Sequence, residues 1–127
     1  MAPCPLFRTM EKIKTINDVY ESHYIHKSLI VCGFSDLETM YHMNHIMKSL
    51  DYPVDVLTVR RSPEVLKRFC AHSLRTLIVG ELFGALLETH LSFVASHIDT
   101  VFVDRESVKD PSWIHRTFNN DQKIIYL

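Results

Sequence analysis

The chain has only three glycines among its 127 residues, three cysteines, and no surplus of either charge sign. Gly33, Gly80 and Gly84 are too few to build the glycine-rich loops that let a backbone wrap a phosphate, and neither a G-x-G-x-x-G run nor a Walker loop occurs. Serine hydrolase signatures are absent as well. The cysteines, Cys4, Cys32 and Cys70, are odd in number, widely spaced and without a C-x-x-C pair. That argues against a secreted disulfide framework and for an intracellular, reducing compartment, with cytoplasm and mitochondrion both left open. Lys and Arg total 14 against 15 Asp and Glu, a formal net charge of −1. No electrostatic surplus points to direct nucleic-acid binding or to an anionic membrane. The apolar runs near 29–31 and 76–79 are far shorter than the roughly 20 residues of a membrane span. The first ten residues, with Arg8, two prolines and no acid, fit a transit-peptide remnant, but the stretch is too short for one and Glu11 follows at once, so an ordinary frayed terminus is expected.

What is present is a globular composition, 46% hydrophobic, with room for a single domain over 1–127 and one core. Strand-like and helix-like segments alternate. Residues 28–34 (SLIVCGF) form an apolar run suited to a central strand, and Ser35 to Glu38 has the S-x-x-E form of a capping box. The helix after it places Met40, Met43, Met47 and Leu50 on one face. Residues 53–59 alternate Val54, Val56 and Val59 with polar partners, as a strand does. Ser62 can cap a second helix with Pro63 at its first position, and Val65, Leu66, Phe69 and Cys70 form its inward stripe. Further strands are expected at 76–79, 100–103 and 123–127, a short helix at 15–23, and another at 87–97. This order predicts an α/β layered sheet.

Two stretches of this pattern resemble the glutaredoxin family of the thioredoxin-like fold. The first runs from Ser28 to Val59, with the family's strand, loop, long helix and strand at matching lengths; the second, G-E-L-F-G-A-L from Gly80 to Leu86, is similar to the hairpin of monothiol glutaredoxins. The resemblance covers 11–97 and leaves 98–127 as a C-terminal extension. It implies a thioredoxin-like (glutaredoxin-type) three-layer α/β sandwich with an extra C-terminal strand. It also implies a site from which the chemistry has gone. The two positions of the redox cysteines fall on Thr39 and His42. Leu74 or Arg75 stands where the family has a cis-proline, since no proline lies between Pro63 and Pro111, and Leu87 replaces the acid that holds the glutathione amino group. Cys32 to Ser35 spells CGFS, the cluster-binding signature of monothiol members, but it continues a strand instead of opening a helix.

The resulting expectation is a non-catalytic thioredoxin/glutaredoxin-like module that binds protein as a subunit of a larger protein or ribonucleoprotein assembly, with no cofactor. Trp113, Phe118 and Tyr126 are candidates for its interface or for its own core. The alternative is a divergent monothiol glutaredoxin using Cys32 with glutathione or a [2Fe–2S] cluster. Eight histidines include the pair His42 and His45 on one helical face, but no compact Cys/His set completes a zinc site. A second fold is open as well. If 81–97 is one helix, the chain is a small doubly wound sheet with strands near 29, 54, 76, 100 and 123. A ligand would then sit at the strand C-termini, where Gly33, Arg60 and Gly80 supply neither an acidic pair nor a glycine cradle.

Overall fold

Five short segments dominated by Val, Ile and Leu pair in parallel into one sheet, in the order β2-β3-β1-β4-β5. The computed structural model describes residues 5–22, 27–33, 37–57, 62–71, 73–80, 96–118 and 121–127. Along the chain these hold α1 (Pro5–Ser22), β1 (Ser28–Cys32), α2 (Leu37–Ser49), β2 (Val54–Val56), α3 (Ser62–Cys70), β3 (Thr76–Gly80), β4 (Thr100–Val103), α4 (Ser112–Thr117) and β5 (Lys123–Tyr126). Strands β1, β3 and β4 are buried along their whole length, which is why they read as continuous apolar runs and not as alternating ones.

Handedness then places the helices. The connection from β1 to β2 moves toward one edge of the sheet, past β3, whereas the later connections move the opposite way. Right-handed crossovers therefore put α2 on one face and α3 and α4 on the other. The two halves of the core follow. Ile30, Cys32, Ile78 and Phe102 meet Met40, Met43 and Met47 of α2 and Ile13 and Ile16 of α1. Leu29, Val31, Leu77, Val79, Val101 and Val103 meet Val65 and Phe69 of α3 and Trp113 and Ile114 of α4.

Polar groups close the N-terminal edge of the sheet. The Tyr20 hydroxyl, from the last turn of α1, bonds to Ser28 Oγ and to Thr76 Oγ1 (2.8 Å), and Ser28 and Thr76 lie 3.1 Å apart. Nearby, Tyr52 donates to Asn17 Oδ1. Lys27 is 2% exposed, and its ammonium donates to the Phe69 carbonyl at 2.6 Å, in the last turn of α3, where the helix dipole favours a cation. At the β2 edge, Asp55 is buried, accepts from the Val56 N–H at 2.8 Å and from Arg68 Nη1 at 3.0 Å, and so joins the strand to α3.

Several expectations are corrected. The thioredoxin-like fold is not formed. A hairpin after residue 80 needs a free edge on β3, but both edges of β3 are taken, in parallel, by β1 and β2. The α/β class holds, and the strands stand where the doubly wound alternative put them; whether 81–95 is one helix lies outside the described residues, as do Val59, Arg60, Arg61, Leu82–Leu86 as a hairpin, and Leu87. The first helix is longer than 15–23 because Thr9, Ile13 and Ile16 all bury against the rest of the protein. Leu50 is 56% exposed, since α2 ends at Ser49 and Asp51 turns the chain with φ 65°. Cys70 is exposed at the end of α3.

Removing the Tyr20 hydroxyl (Tyr20→Phe) leaves Ser28 and Thr76 bonded to each other and should cost about 1 kcal/mol in urea unfolding. Burial, the largest influence, holds the Tyr20 hydroxyl above its ordinary value of 10.0 against the opposing pull of its bonds to Ser28 and Thr76. A raised pKa means that the stability is complete below about pH 10 and is lost as pH rises further, because the unfolded tyrosine ionises first. Tyr20→Phe should flatten that alkaline fall, read by denaturant midpoints between neutral pH and about pH 11.

Candidate functional site at the carboxyl ends of the strands

In an open parallel sheet the ligand crevice lies where neighbouring strands send their connections to opposite faces. Here that point falls between β1 and β4, because β1 leads to α2 on one face and β4 to α4 on the other. The segments that leave β1, β2 and β3 (34–36, 58–61 and 81–95) lie outside the described residues, so the described rim comprises Cys32, Gly33, Gly80, the turn 104–108 and the helix residues above it.

At the crevice itself the protein fills the space with its own groups. The Asp104 backbone N–H donates to the Val31 carbonyl at 2.9 Å, carrying the end of β4 across to β1. Its carbonyl then accepts from the N–H groups of Ser107 (3.2 Å) and Val108 (2.9 Å), closing a turn that returns toward β1. Ser107 Oγ accepts from the Gly33 N–H at 2.8 Å and donates to Asp104 Oδ2 at 2.6 Å. The approach is so close that a Cβ on Gly33 would overlap the Ser107 carbonyl, so only glycine serves there. Asp104 is fully buried, and the ammonium of Lys12, itself 12% exposed, lies 2.8 Å from Oδ1 as an ion pair. Lys12, Asp104, Ser107 and Gly33 thus form one chain of contacts from α1 to the end of the central strand.

Two features border this plug. On its solvent side, a groove of about 470 Å³ runs between α1 and the end of β5, lined by Glu11, Lys14, Asp18 and Glu106 as well as Lys12. On the α4 side, two side chains gather on Tyr126: His115 Nε2 is 2.8 Å from its hydroxyl, and the Arg105 guanidinium sits 5.4 Å above its ring. Arg116 donates to Ser112 Oγ at 3.2 Å. Asp110 accepts from the Ser112 N–H at 3.0 Å, and its bonds to Ser112 hold its carboxyl below the ordinary range. A buried carboxylate in the crevice repels phosphate there, whereas the cations stand outside it, on the exposed rim.

The residues singled out from sequence are scattered. Cys32 is fully buried, opposite Gly80 in the ladder; a reactive thiol needs exposure and a nearby positive charge. Thr39 and His42 lie in the first half of α2, near the carboxyl ends, but Arg75 precedes β3 at the opposite edge, where its N–H bonds to the Pro53 carbonyl. No single site unites them. Trp113 and Phe118 fill the α3/α4 half of the core, while Tyr126 is half-buried at the sheet edge. Among the described residues no group of His, Cys, Asp and Glu has a metal-binding arrangement, and no helix is long and apolar enough to cross a membrane. Sequence reasoning missed Lys12, Asp104 and Ser107, which only the parallel pairing of β4 beside β1 and the packing of α1 on the sheet bring together.

No family model and no curated protein matches the chain. Solved structures do. The C-terminal part of the Fun30 ATPase domain superposes with a TM-score of 0.62 at 16% identity, over 91% of this chain and 40% of that one. What is shared is the fold, a layered α/β domain on an all-parallel five-stranded sheet. The C-terminal domain of the S. cerevisiae protein Dbp5, in a complex with Gle1 and IP6, gives a TM-score of 0.66 at 16% identity over 94% and 70% of the two chains. The C-terminal domain of the DEAD-box protein Dbp5 by itself gives 0.64 at 14% over 92% and 69%. The chain therefore spans about two-fifths of the Fun30 fragment's length. These likenesses overturn the glutaredoxin reading, its redox alternative through Cys32 and the module function built on it.

Lys12→Met removes the counter-ion of a carboxylate with no exposure and should cost about 3 kcal/mol, whereas adding Asp104→Asn should recover most of that loss. A double-mutant cycle from urea unfolding reads both. Gly33→Ala should destabilise by at least about 2 kcal/mol through the clash with Ser107.

Proposed function

We propose that this chain acts as the second lobe of a two-lobed ATPase of the helicase type, working against a first lobe that carries the nucleotide. The observation that carries the reading is the sheet order together with its likeness to domains described as C-terminal parts of such proteins. The filled crevice supports the division of labour. With Asp104 buried between β1 and β4, and with three glycines in the whole chain, the described residues supply no phosphate cradle at that point. The lobe's exposed cations, Arg105 and Arg116, stand on the rim beside β5 with His115 between them, where an opposing lobe with bound polyphosphate would meet them.

The protein partner is then a RecA-like lobe with a Walker-type phosphate loop, on the same polypeptide or on another. Native affinity purification of the tagged protein, with and without a non-hydrolysable ATP analogue and Mg²⁺, tests this. The expected result is a lobe with such a loop, retained more strongly with the analogue and released by the double substitution Arg105→Glu/Arg116→Glu. Tight ATP binding by the purified chain alone, or a stable partner with no phosphate loop, overturns the reading.

A further inference from the structure

On the face opposite α3 and α4, helices α1 and α2 run in the same sense, and a groove of about 380 Å³ lies between them. The wall from α1 is a helical stripe, Met10, Ile13, Lys14 and Asn17, at the i, i+3, i+4, i+7 spacing of one face. Ile46, Leu50 and Tyr52 form the wall opposite. Ile13 is the buried floor, whereas Met10 and Leu50 are 55% and 56% exposed, the most open large apolar side chains of the described residues along with Tyr41. Asn17 and Tyr52 are bonded to each other across one end of the groove, so that end is fixed.

We propose that this groove docks an amphipathic helix of a partner protein, one with a carboxylate beside its apolar stripe. Three arguments select that occupant. The α1 wall and Ile46 are helix surfaces, and beyond the end of α2 the N–H groups of Leu50 and Tyr52 bond back to the carbonyls of Ile46 and Met47, so these walls present no strand edge for an extended segment to pair with, whereas a helix satisfies its own backbone. The lining is mostly apolar and has no acidic residue, which suits two or three apolar anchors at i, i+3 or i+4, and i+7. Lys14 is exposed, stands on the ridge shared with the groove of Glu11 and Asp18, and has no ion pair among the described residues, so a carboxylate on the occupant gains a partner there that an apolar or basic flank does not. A second copy of the chain fits poorly, because a two-fold contact presents the same patch twice and brings Lys14 toward its own equivalent. The groove lies apart from the rim cations, on the α1/α2 layer, so this proposal stands without the two-lobe reading.

A displayed library of helices with randomised surface positions, selected on the full chain, tests it. Enrichment of helices that combine an apolar i, i+3/i+4, i+7 stripe with Asp or Glu is expected. Fluorescence anisotropy with one such helix should show about tenfold weaker binding to Lys14→Glu, with the loss reversed when the helix carboxylate becomes Lys, and no binding to Leu50→Asp. Circular dichroism confirms that both variants, at exposed positions, remain folded. Selection of helices without acids, equal binding to Lys14→Glu, or no enrichment over a Leu50→Asp counter-target overturns the proposal. So does a dimer of the free chain, seen by sedimentation, that Leu50→Asp dissolves.

Discussion

Strand β1 is hydrogen-bonded to β3 on one side and to β4 on the other, and every other element takes its place from that double pairing. A strand flanked on both edges, with helices above and below, has no face or edge for water, so Leu29 to Cys32 are all buried. Because the next strand in sequence, β2, lies beyond β3, the chain must cross from β1 in one direction and return in the other. Right-handed connections turn that reversal into a three-layer structure. They also leave one crevice, at the carboxyl end of β1.

The protein meets the problem of that crevice with charge rather than with bulk. Asp104 is held by Lys12 on one oxygen and by Ser107 on the other, and Ser107 in turn takes the Gly33 N–H. Oδ2 is hydrogen-bonded, whereas Oδ1 has the Lys12 charge beside it at ion-pair distance and no hydrogen bond, so the buried carboxylate depends on that counter-ion. The same contacts tie α1 down near its middle, while Tyr20 ties it at the far end through Ser28 and Thr76. Helix α1 is thereby fixed at two points to strands on which α2 also rests. The groove between the helices is accordingly held open in a set geometry, and an incoming helix has little ordering left to do.

Much of the fold was legible. The unbroken apolar runs at 29–31 and 76–79 marked buried parallel strands, and the Met40, Met43, Met47 stripe marked the inner face of α2. The misreading came from lengths. A strand, a long helix and a second strand at given spacings describe any βαβ unit, glutaredoxin or RecA-like, because spacing records how far the chain travels and not which neighbour it returns to. Leu50 misled in a similar way, since its helical spacing ran one residue past the end of α2.

The sequence by itself determined the α/β class, the positions of the five strands and the buried Met40, Met43 and Met47 of α2 and Val65 and Phe69 of α3, because these depend on local periodicity and on burial of nearby side chains. Only the tertiary structure decided the strand order, the exit of β4 beside β1, and hence the meeting of Lys12, Gly33, Asp104 and Ser107. Those four residues are separated by up to most of the chain and form no motif. Their contact exists because backbone pairing between β1 and β4 brings two distant strand ends together, and local sequence carries no record of that pairing.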